Sequence, residues 1–134
     1  MSNGVKIVGG VLLVFIVMLF GGWISERFFS NNSCVNEVVS QQKSPNNNYK
    51  AILFTRDCGP KTSTSYQVSV MNQWENLSNS STGNAFVSYE APEIKWKDNS
   101  TLYIVRASGA EVFKAQKEII VWPFFQKVKF EYSN

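Results

Sequence analysis

"YKAILFTR", residues 49–56, is the stretch from which the fold is read. Apolar side chains occupy both alternating faces of this run, Tyr49, Ala51 and Leu53 on one and Ile52 and Phe54 on the other. Successive side chains of a strand point to opposite faces, so a run apolar on both predicts a central strand covered on both sides. Similar runs lie downstream. "YQVSV", 66–70, alternates with Tyr66, Val68 and Val70 inward and Gln67 and Ser69 outward. "AFVSY", 85–89, is a shorter candidate. "IKWKDNSTLYIV", 94–105, reads as a hairpin, with Ile94, Trp96, Leu102 and Ile104 inward and turn chemistry at Asp98 and Asn99. "KVKFEY", 127–132, sets Val128, Phe130 and Tyr132 opposite Lys127, Lys129 and Glu131.

Between these, "SGAEVFKAQKEIIVW", 108–122, is a helical turn or a strand in its first half and strand-like in its second. Asn- and Ser-rich loops such as "SPNNN" and "ENLSNSSTGN" punctuate the runs. About seven short strands without a strong amphipathic helix predict an all-β domain, a sandwich or a curved antiparallel meander. A propeller is excluded, because about 100 residues cannot supply several blades.

The first strand ends in "RDCG", residues 56–59, which raises the role of Cys58. The chain has two cysteines, Cys34 and Cys58, and no histidine. Without histidine, neither a Cys–His nucleophile nor a Ser–His–Asp triad can be assembled. Two lone cysteines fall short of the ligands zinc requires. An intramolecular disulfide is the expected arrangement, with a free thiol or an intermolecular bridge as the alternatives.

The N-terminus is of another kind. From Ile7 to Ile24 no residue is charged, and such a run would span ~27 Å as a helix, close to the hydrocarbon thickness of a bilayer. It predicts a transmembrane signal-anchor over 7–25, after a short cytoplasmic head at 1–6 and before a juxtamembrane linker at 26–33 and a β domain at 34–134. The alternative is a cleaved signal peptide, against which stands an apolar region longer than such peptides usually carry. Trp23, Phe28 and Phe29 beside Arg27 suit an interfacial anchor. Lys6 favours a cytoplasmic N-terminus and an exported C-terminal domain. Lys95, Lys97, Lys114, Lys117, Lys127 and Lys129 are scattered at solvent-facing strand positions, so a nucleic-acid surface is not expected.

The spaced pattern Cys34-Val35-Asn36-Glu37-Val38, Ser44-Pro45, Tyr49-Lys50-Ala51 and Arg56-Asp57-Cys58-Gly59 resembles a family of small bacterial envelope proteins of uncharacterised function. The resemblance covers residues 34–70 and departs from the family after Gly59, where "PKTSTS" replaces a turn richer in threonine and glycine. It implies a bacterial source and an envelope location, which together with the expected anchor and its orientation gives a single-pass inner-membrane protein with its C-terminal domain in the periplasm. It implies no activity.

Candidate partner-binding residues are Glu37, Arg56 and Asp57, which lie near the expected disulfide in sequence, together with Lys61 and Trp74. The plainer reading of the first three is an ion pair and a turn cap around a staple. Lys61 sits in a polar loop that is plainly read as solvated. Trp74 is either an exposed hot spot or a cap on the core. "WPFFQ", 122–126, packs three aromatics around a proline and reads mostly as core, with any exposed part facing a membrane or another chain. The functional expectation is a membrane-tethered periplasmic protein-binding domain of immunity or inhibitor type. The alternatives are a non-catalytic subunit of an envelope membrane complex and, less favoured, an enzyme using Glu37 or Asp57. No cofactor, metal or catalytic residue is expected.

Overall fold

The computed structural model describes residues 11–18 and 34–134. Residues 11–18 are helical, and their side chains are exposed. No helix among the described residues is long and apolar enough to cross a membrane. The remainder of the segment expected at 7–25, the head at 1–6 and the linker at 26–33 lie outside the described residues.

Cys34–Asn134 forms a compact unit of its own. Its strands are β1 (Val35–Lys43), β2 (Tyr49–Asp57), β3 (Ser65–Asn72), β4 (Phe86–Ser88), β5 (Glu93–Trp96), β6 (Thr101–Val105), β7 (Val112–Ala115), β8 (Glu118–Val121) and β9 (Gln126–Ser133). They form two sheets, one in the order β1-β2-β3-β4-β7 and one in the order β5-β6-β9-β8. The domain is therefore all-β, and its inward residues from both sheets join in one hydrophobic cluster. Tyr49, Ala51 and Leu53 of β2 and Val68 and Val70 of β3 meet Ile94, Leu102, Ile104 and Val128 from the second sheet.

Every strand pair is antiparallel except β6 with β9. After β6 the chain adds β7 to the edge of the first sheet, then returns as the β8–β9 hairpin. That hairpin docks with β9 against β6, which makes the pair parallel. A simple antiparallel meander is thereby replaced by a two-sheet sandwich in which the chain passes between the sheets three times, after β4, β6 and β7. Alternation in the sequence marks which side chains face inward, but it carries no information on which strand lies alongside.

The expected β5–β6 hairpin forms, pairing Ile94 with Ile104 and Trp96 with Leu102. Asp98 accepts a 2.8 Å bond from the Ser100 N–H within its turn. Strand β1 was not anticipated. As an edge strand its side chains are mostly exposed, so its composition reads as polar.

Strand β2 is covered on both sides, as its sequence predicts, but the outer cover is a loop. Ile52 and Phe54 face away from the shared core and are still fully buried. The β3–β4 connection folds back across that outer face. The Gln67 carboxamide accepts from the Gly83 N–H at 2.6 Å, and the Ser69 hydroxyl donates to the Thr82 carbonyl at 3.1 Å. The Asn84 side chain bonds both the N–H and the carbonyl of Val70, at 2.9 and 2.7 Å, as a neighbouring strand would. Gln67 and Ser69, expected to face solvent, are buried for this reason. At Gly83 a Cβ would lie 2.8 Å from the Phe86 carbonyl and 2.9 Å from the Gln67 Cβ, so only glycine allows this approach.

On β9, burial lifts the Tyr132 phenol to about 12, which keeps it a hydrogen-bond donor to the Gln116 carbonyl at 2.6 Å.

Candidate partner-binding surface

The domain has two poles, set by the ends of β2. At about 3.3 Å per residue its nine residues separate them by roughly 27 Å.

One pole carries the staple. Cys34 precedes β1 and Cys58 follows β2, and their sulfurs are bonded at 2.01 Å. The adjacent pairing of Val35 with Asp57 brings the two cysteines together. Asn36 pairs with Arg56, so their side chains share the outer face. One Arg56 Nη donates to Asn36 Oδ1 at 2.9 Å, to the Asn79 carbonyl at 3.0 Å and to the Ser81 carbonyl at 2.8 Å. The Asn36 amide donates to the Ser78 and Ser81 carbonyls. Arg56 thus clamps the loop that covers Phe54.

Asp57 accepts from the Gly59 N–H at 2.9 Å and caps the turn that carries Cys58. Glu37 pairs with Thr55 and points to the face opposite Arg56. Lys61 is exposed in the β2–β3 loop. The ion pairs among the described residues are Lys97–Glu131 and Lys127–Glu118, and both lie elsewhere. The structure therefore keeps the sequence candidates near this pole without bringing Glu37, Arg56 and Asp57 into one constellation. Tyr89 and Phe113 add an edge-to-face pair here, 4.6 Å between ring centres.

The other pole is apolar and open. It gathers the turn after β3 and the β8–β9 turn. Trp74, Ile120, Trp122, Phe124 and Phe125 are between 54 and 71 % exposed. Trp74 is placed by its N–H, which donates to Asn72 Oδ1 at 3.1 Å. The hairpin is fixed at its base by the Tyr49 hydroxyl, which donates to Gln126 Oε1 at 2.9 Å. Burial raises the Tyr49 pKa, so that donor stays protonated at neutral pH. The turn residues lie beyond the sheet, where no inward position exists. "WPFFQ" is consequently surface rather than core.

Phe125 adopts φ 48°, in the left-handed region that β-carbon sterics disfavour for a bulky residue. A large aromatic held there while exposed is not accounted for by packing. Beside the hairpin lies a cleft of about 340 Å³, bordered by Met71, Glu75, Thr82, Ile120 and Trp122. The sequence offers Trp74 as a candidate and reads the hairpin tip mostly as core, with any exposed part facing a membrane or another chain. The signal available was Pro123 between two strand-like runs, which marks a turn and hence an exposed tip.

No group of three or more potential metal ligands occurs among the described residues. What this pole offers chemically is desolvation of aromatic area, the usual source of affinity in protein interfaces.

A family model described as a family of unknown function (DUF5412) matches residues 4–118. Trp74 falls within the match, and the tip at 122–125 lies after it. No curated protein and no solved structure matches the chain.

Proposed function

The chain belongs to that family of unknown function, and we propose that it is a membrane-tethered, exported protein-binding domain whose recognition surface is the aromatic pole. The observation that carries the reading is the exposure of Trp74, Ile120, Trp122, Phe124 and Phe125 together at one end of the domain. Isolated exposed apolar residues are ordinary, but a contiguous aromatic patch marks an interaction site. Tryptophan is also among the residues that dominate measured interface energies.

Two features support the location. The uncharged run from Ile7 to Ile24 is long enough to anchor the chain. The Cys34–Cys58 bridge has one exposed and one half-buried partner, and such bridges persist in oxidising compartments. The chain enters the domain at the stapled pole, so the aromatic pole is the end far from the entry point. An inhibitor or immunity-type role, in which the domain captures one soluble protein, fits this arrangement.

The test is in-cell crosslinking of the tagged full-length chain, beside a version whose N-terminal apolar segment is replaced by an unrelated one. One soluble protein captured by both versions, and lost on combining Trp122→Ala with Phe125→Ala, is the expected result. Membrane proteins captured only with the native segment would make the chain a subunit of an envelope complex instead.

A further inference from the structure

We infer that the cleft beside the hairpin receives a single basic side chain, arginine or lysine, projecting from the protein that docks on the aromatic pole. The inference rests on the preceding reading of that pole and deepens it by assigning the chemistry of the partner's anchoring residue.

The cleft, about 340 Å³, is lined by Ile120 and Trp122 of the β8–β9 hairpin and by Glu75 of the turn after β3. Its remaining polar side chains are largely committed to the fold. The Ser69 hydroxyl donates to the Thr82 carbonyl and accepts from the Asn84 N–H. Asn84 uses its carboxamide on Val70. Glu75 differs. Its backbone N–H is bonded to the Asn72 carbonyl, which fixes its place, but its carboxylate makes no ion pair among the described residues. No lysine or arginine lines the cleft.

The site therefore combines one carboxylate without an ion-pair partner among the described residues and a largely exposed tryptophan, both lining the same cleft. A cation placed over an indole face within about 6 Å is attracted by the ring quadrupole, and a carboxylate adds a charge-assisted hydrogen bond. A long basic side chain satisfies both, because its apolar stem can lie along Ile120 while its head reaches Glu75. Anionic ligands are repelled by the same carboxylate. Once a partner covers the surrounding aromatics, water is excluded and the carboxylate needs a counter-charge, since an unpaired buried charge is costly.

The experiment uses the full-length chain in detergent with ¹⁵N-labelled tryptophan indoles, titrated with N-acetyl-arginine amide, N-acetyl-lysine amide and the neutral analogue N-acetyl-citrulline amide. The Trp122 resonance is assigned by its loss in Trp122→Phe. The expected result is a saturable Trp122 shift with the two cations and none with citrulline. Glu75→Gln should weaken it at least about fivefold, as befits loss of a charge-assisted bond. Equal shifts with citrulline, no saturable shift with any compound, or an unchanged response in Glu75→Gln overturns the inference.

In-cell crosslinking separates this failure from that of the underlying reading. Capture lost in Trp122→Ala/Phe125→Ala but kept in Glu75→Gln leaves the aromatic pole standing and removes the basic anchor. Capture kept in both variants overturns both, and capture lost in both supports both.

Discussion

At the Cys34–Cys58 pole, Arg56, Asn36 and Asp57 are tied into the fold and exposed aromatic area is confined to the Tyr89–Phe113 pair, whereas at the Trp122 pole four aromatic side chains are left outside it. Arg56 and Asn36 have their donors engaged by loop carbonyls, and Asp57 caps a turn. The aromatic pole reverses the usual allocation, with Trp74, Trp122, Phe124 and Phe125 facing solvent. The contrast teaches that residue type alone does not mark a site. A guanidinium serves a loop as readily as a ligand, and an aromatic residue in a turn cannot reach the core.

The contrast makes its largest prediction at the staple. Replacing both Cys34 and Cys58 by serine removes the cross-link between residues 24 apart in sequence. The chain-entropy model gives a loss of about 3 kcal/mol, readable as a lower urea midpoint, with a somewhat steeper slope because the uncrosslinked denatured chain exposes more surface. Partner capture by the folded fraction should be unchanged. Loss of capture from protein shown to be folded would mean that the poles are not independent.

Next in size is Arg56→Met. It strips hydrogen bonds from the Asn79 and Ser81 carbonyls and from Asn36. Bonds to a charged group contribute about 1.5–3 kcal/mol, and with water reaching some of the freed carbonyls a loss of about 2 kcal/mol is expected. The loosening should appear as faster amide hydrogen exchange at Gly83, whose N–H is held on Gln67 beneath the same loop. A variant that loses capture while exchange stays slow would make Arg56 a recognition residue after all.

These two regions also show what the sequence can carry. Strand β2 is legible because its apolar residues fill both faces, and Ile52 and Phe54 are buried as that pattern demands. That a loop covers them is not legible, since the contacts run through backbone carbonyls at 78–82, which composition does not record. The staple is legible from the cysteine count and the missing histidines. The parallel β6–β9 pair is not, because alternation fixes a strand's faces and leaves its neighbour open. The aromatic tip reads mostly as core in the sequence because its hydrophobicity is visible there and its position beyond the sheet is not. "WPFFQ" bridges β8 and β9, and a short turn between paired strands has no inward side.

The third prediction sharpens the aromatic side of the comparison. Phe125 sits at φ 48° and is 71 % exposed. Glycine adopts that conformation without the β-carbon clash, so Phe125→Gly should leave stability unchanged or raise it by about 1 kcal/mol. Capture should fall at the same time. A stability gain with lost binding is the signature of a residue kept for its surface. A clear loss of stability would instead place Phe125 in the hairpin's own packing.

The smallest effect is expected where the sequence first pointed. Glu37 is exposed on edge strand β1 and Lys61 is exposed in the β2–β3 loop, and neither takes part in an ion pair among the described residues. Substitutions at such positions usually change stability by no more than about 0.5 kcal/mol. Glu37→Gln combined with Lys61→Ala should therefore leave both the urea midpoint and partner capture within error of the native chain. The measurement is informative because it can fail in one direction only. An unchanged midpoint with reduced capture would show that the partner reaches across both poles, about 27 Å apart along β2, and would turn the contrast between a structural end and a recognition end into two halves of one interface.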